Sequence, residues 1–144
     1  MTKEREQELI CELEQDHLLA GRGLQLLTLE EGFVRLQLML DADEEVLRSQ
    51  LHHGLLYALA ETAASLAVRT TRQEILRPIS YTMDYPQQQE RPTRMLLAEG
   101  KLSRAGKSIC FCTVQVWDEA ERLLCRMDTE MALDPPAQSR EAAK

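Results

Sequence analysis

Long apolar runs, basic clusters and metal-ligand spacings are all missing from this chain, and each absence removes a class of function. No apolar stretch approaches the roughly 20 residues that a membrane helix needs. The opening "MTKEREQELICELEQ" is charged throughout, unlike a secretory signal. A cytosolic protein with no membrane partner is therefore expected. Lys and Arg number 17 against 24 Asp and Glu, a formal net charge of -7 with no basic run, so a phosphate-backbone partner such as nucleic acid is not expected. The four cysteines, Cys11, Cys110, Cys112 and Cys125, form no CxxC pair, and with three histidines they make no zinc-like spacing. No metal is expected, and reduced thiols are. Cys110 and Cys112, two apart in a strand, would share its buried face. No internal repeat is visible.

What is present is one ordinary domain: 144 residues, 44% of them hydrophobic. Residues 1–19 form an amphipathic helix by their pattern, with Leu9, Ile10, Leu13 and Leu18 along one side, and "AGRG" ends it. From Leu24 to Leu40 apolar residues alternate with polar ones on both sides of "LEEG", which predicts a β-hairpin. An acidic loop, "DADEE", follows. Between Gly54 and Val68 the Ala and Leu content predicts a helix buried on nearly all sides, in which Glu61 is the only charged residue. Pro78 argues against its continuation. Four strands are then expected, beginning at Ile79, Arg94, Lys107 and Arg122, with "RAGK" as a short hairpin connection. The domain spans 20–133, and the tail 134–144, opening on two prolines, is expected to be disordered. Hairpin, long apolar helix and four antiparallel strands make an α+β domain whose sheet wraps the helix.

An unpaired buried carboxylate costs several kcal/mol, so Glu61 should be paired, at an edge, or engaged in chemistry. The bland reading places it at a dimer seam beside Arg69 or Arg77. The stretch "HHGLLYALAETAASLA", with Glu61 nine residues after His52 inside "LAE", points elsewhere. With the element order over 20–133, it resembles the hotdog-fold acyl-CoA thioesterases, the group that includes phenylacetyl-CoA and 4-hydroxybenzoyl-CoA thioesterases.

That resemblance implies a sheet wrapped round a central helix, an acyl-CoA substrate and no separate cofactor, coenzyme A being part of the substrate. It makes Glu61 the nucleophile or the general base for a water. The backbone amide of His53 becomes the oxyanion donor at the helix N-terminus. Ser65, one turn beyond Glu61, supports it, and His52 orients the loop. Gly54 and Tyr85, the latter in "TMDYP" from Thr82 to Pro86, would contact substrate. Arg104 and Lys107 around "RAGK", or Arg72 and Arg77, would meet the coenzyme A phosphates. The chain departs from the family's His-Gly-Gly step at His53, and has Val46 where one branch carries an Asn, so the branch with a helix hydroxyl fits better. The acyl group is expected to be medium-chain or aromatic, and the assembly a homodimer or homotetramer. The competing reading is a non-catalytic hotdog module that binds acyl-CoA or acyl carrier thioesters. A hotdog hydratase is disfavoured because no His follows Glu61.

Overall fold

The computed structural model describes residues 2–14, 23–40, 53–72, 75–86 and 93–134. In chain order they form α1 (Lys3–Glu14), β1 (Leu24–Glu30), β2 (Phe33–Met39), α2 (His53–Arg69), β3 (Ile75–Asp84), β4 (Met95–Ala105), β5 (Ile109–Asp118) and β6 (Leu123–Asp134). The strands make one antiparallel sheet in the order β1-β2-β4-β5-β6-β3. Strand periodicity explains how the sheet grips α2. Val34, Leu36 and Leu38 of β2, Leu96 and Ala98 of β4, and Cys110, Cys112, Val114 and Val116 of β5 alternate along their strands and are buried against the helix. The hairpin expected at "LEEG" turns at Glu31 and Gly32, where Gly32 has a φ of +74° that a side chain would resist.

Helix α2 lies close to the sheet because its contact face is built of small residues. Ala60, Ala63, Ala64 and Ala67 are fully buried there, and opposite them stands Gly100 of β4. A Cβ at Gly100 would sit 2.6 Å from the Ala63 carbonyl oxygen, so only glycine permits this approach.

The N-terminal helix is integral to this packing. Leu9 and Leu13 join the core. Arg5 sends Nε to the Arg69 carbonyl oxygen at 3.0 Å, and its terminal nitrogen to the Arg69 and Arg72 oxygens at 2.8 and 3.0 Å. A guanidinium thus satisfies carbonyls that the end of α2 leaves open and opposes its dipole.

Two expectations change, and others fall outside the described residues. The structure describes the first helix only to Glu14, so Leu18 and the "AGR" of its break, like the loop from 41 and the tail from 135, lie outside the described residues. Strand β3 starts at Ile75 and runs through Pro78, which was read as a boundary. Proline is accepted because β3 is an edge strand, with a register irregularity between Pro78 and Ser80. And α2 is not covered all round: His53 and Gly54 are exposed, and Tyr57, Glu61, Ser65 and Arg69 half-buried, a stripe in four-residue steps that the sheet covers only in part.

The close approach makes a direct prediction. Gly100→Ala should lower stability by about 1–3 kcal/mol, read from urea denaturation with an unchanged slope. A loss below about 0.5 kcal/mol would show that α2 and β4 separate at little cost.

Candidate functional site

The open stripe of α2 carries the chemistry-bearing residues because a helix repeats its face every four positions or so. Ser65 Oγ donates to Glu61 Oε1 at 3.1 Å, so the acid expected from the sequence and the hydroxyl one turn beyond it are joined. That bond occupies one carboxylate oxygen and holds the group toward the C-terminal side of its own turn. Arg77, one of the two cations named as a neutralising partner, instead pairs with Asp134 at 3.0 Å. The bond raises the Arg77 pKa, although the side chain is exposed.

At the other end, His53 is the first residue of α2, where backbone N–H groups point out of the helix. Its ring stacks on Tyr85 with centroids 4.0 Å apart and planes 12° from parallel. Among the described non-glycine residues only Glu121 has a positive φ, so His53 takes the position where the resemblance expects glycine without backbone strain. His52 and Val46 lie outside the described residues.

Between the two ends is Tyr57, one turn from each of His53 and Glu61, its ring 4.7 Å from that of Tyr81 on β3. Burial first, then the charge of Glu61 and the neighbouring Tyr81, push the Tyr57 phenol up. Burial pushes Tyr85 up as well, with smaller contributions from Cys125 and Tyr81. The chain has only three tyrosines, and all three stand here. Tyr57 and Tyr81 were not singled out from the sequence. The available signal is spacing: Tyr57 lies midway between His53 and Glu61, and Tyr85 follows Tyr81 by four residues, just past the end of β3.

Arg104 and Lys107 are not near this cluster's N-terminal end. They flank the β4–β5 turn, whose Gly106 carbonyl accepts a hydrogen bond from Arg72 just past the end of α2. Helical rise puts that end about 12 Å beyond Glu61 and about 24 Å from His53. Arg104 lies over the Phe111 ring, 6.0 Å from its centre.

The cysteines take no part. Cys110, Cys112 and Cys125 are buried, and burial pushes the thiols of Cys112 and Cys125 up to about 12. Among the described residues no group of three His, Cys, Asp or Glu could hold a metal ion. No helix among them is long and apolar enough to cross a membrane.

The thioesterase superfamily model matches residues 50–125, more than half of the chain and the whole of α2. The chain belongs to the thioesterase superfamily, and its fold is the hotdog fold. The Escherichia coli PaaI protein of the phenylacetic acid degradation operon is 17% identical, with a TM-score of 0.78 over 90% of this chain and 92% of that one. A mutant of the phenylacetic acid degradation protein PaaI from Thermus thermophilus is 24% identical, with a TM-score of 0.69 over 82% and 99%. A hypothetical thioesterase protein with coenzyme A from Streptococcus pneumoniae is 15% identical, with a TM-score of 0.75 over 88% and 97%. At these identities the likeness is one of fold. No curated protein sequence matches the chain.

The buried thiols set a pH response. In an unfolded chain a thiol titrates near 8.5, whereas Cys112 and Cys125 stay protonated in the fold to about 12. Between those values the unfolded state binds fewer protons, so stability falls as pH rises. Replacing both by alanine should make that fall shallower from about pH 8.5 to 10.5 in denaturant melts; an unchanged slope would contradict the assignment.

Proposed function

We propose that this protein hydrolyses acyl-CoA thioesters, with Glu61 as the reacting carboxylate. The observation that carries this reading is the Ser65–Glu61 hydrogen bond on the one open stripe of α2, in line with a helix N-terminus suited to an oxyanion. The bond fixes Oε1 and leaves Oε2 for chemistry. That oxygen can attack the thioester carbon, giving a mixed anhydride and the coenzyme A thiolate, or take a proton from a water that attacks instead. In either route the carbonyl oxygen becomes negative, and the His53 amide meets it. His52 orients the loop before that amide, and Gly54 leaves room for substrate beside it.

One chain does not complete this set. Eight residues of helix separate His53 from Glu61, about 12 Å along the axis, and Ser65 holds the carboxylate away from His53. A carbonyl held between an attacking oxygen and its oxyanion donor spans only about 6 Å. A second copy related by a twofold axis closes the gap by bringing its own helix N-terminus to Glu61. Edge strand β3, with Ile79 and Tyr81 about half exposed, offers unpaired backbone for the same contact. The functional unit in this reading is therefore a homodimer, with a tetramer built from two such pairs.

The substrate follows from chemistry at the two ends. Arg104 and Lys107, beyond the C-terminal end of α2, suit the phosphates of coenzyme A, and the tyrosines suit a medium-chain or aromatic acyl group. The Streptococcus pneumoniae relative holding coenzyme A supports that class of ligand. The reading keeps the protein in the cytosol and needs no further cofactor.

Release of free thiol from a panel of short, medium, long and aromatic acyl-CoAs tests it. Glu61→Gln should lower kcat/KM at least about a hundredfold with the fold intact, and Ser65→Ala about tenfold. No hydrolysis of any member, or equal rates in Glu61→Gln, would remove Glu61 as catalyst and leave a binding module.

A further inference from the structure

The separation of His53 and Glu61 also fixes where the twofold axis crosses α2. If Glu61 of one copy meets His53 of the partner subunit, and the reverse holds on the other side, the axis passes midway between the two positions, and the midpoint is Tyr57. This step rests on the thioesterase dimer described above. Each site then lies about 6 Å from the axis along the helix, with Tyr57 between the two sites.

The two arms of a bound thioester are sorted by what lies in each direction. Away from the axis stand the end of α2 and the turn bearing Arg104 and Lys107, a cationic environment for phosphate groups. Toward the axis the surface is aromatic: Tyr57, half-buried, and Tyr81, packed 4.7 Å from it. Tyr81, on edge strand β3, packs against the Tyr57 ring. An acyl chain running inward from Glu61 meets this pair after about the length of a single ring.

We propose that Tyr57, backed by Tyr81, closes the inner end of the acyl pocket and narrows the medium-chain or aromatic class to the shortest medium chains or one aromatic ring. It is a specificity-determining residue and takes no part in bond making. The desolvated Tyr57 phenol, pushed up partly by the charge of Glu61, accords with a ring set against the reacting end of the pocket.

The test is kcat/KM over straight-chain acyl-CoAs from acetyl to palmitoyl, with benzoyl-CoA, for the parent protein, Tyr57→Ala and Tyr57→Trp. Affinity for the same series is measured in Glu61→Gln with and without Tyr57→Ala. Tyr57→Ala should raise the ratio of long-chain to short-chain kcat/KM at least about tenfold, since each buried methylene adds several-fold to affinity. Tyr57→Trp should move the optimum to shorter chains. An unchanged length profile in folded Tyr57→Ala, or an equal loss for every substrate as a merely structural role would give, overturns the inference. If no protein hydrolyses anything, the affinity series decides. A length cut-off that moves with Tyr57 upholds this inference while hydrolysis fails. A cut-off that does not move, or no binding, overturns it.

Discussion

The close seating of α2 against β4 and β5 is the constraint on which the rest of the structure depends. Four alanines on the helix and Gly100 opposite them bring backbone to within a side chain's width, and at that distance a twisted sheet curls around the helix on its other flanks. Arg5 and the core leucines of α1 lock the C-terminal end, leaving the N-terminal residue exposed and one stripe only half-buried. The residues on that stripe can be polar because they need not fill the core, which answers why a helix so apolar carries Glu61. The acid sits where the wrapping stops, with Ser65 supplying the partner that half-burial demands.

Much of this was legible in the sequence because it rests on periodicity. Six strands and a central helix follow from alternation and from the density of Ala and Leu, while Ser65 comes from the family resemblance, four-residue spacing putting it on the face of Glu61. What escaped depends on contacts between distant segments. Pro78 reads as a boundary until β3 is known to be an edge strand with no demand on that N–H. Arg5 has no local signature, since its acceptors are 64 and 67 residues away. Tyr57 and Tyr81 were passed over because the sequence shows a helix apolar on nearly every side and does not say which side stays open. The Arg104 and Lys107 assignment came from turn position alone; the fold places them near the far end of α2 from His53, which gives them a direction relative to Glu61 rather than contact with it.

The proposed homodimer joins these features. The helix rise puts about 12 Å between His53 and Glu61, β3 lies at the edge of the sheet, and all three tyrosines stand on the stripe or against it. In that reading a second copy completes the site, and its symmetry sets where each residue of the stripe stands relative to the partner.

Mixed dimers test that central claim most directly. Glu61→Gln removes the carboxylate, and His53→Pro removes the amide N–H at a first helical position where proline is accepted. Each variant alone should be inactive, and refolding the two together should restore about a quarter of the parent rate, since half the dimers are mixed and each holds one intact site. No recovery, with mixed dimers seen by native mass spectrometry, would contradict a site shared between two chains.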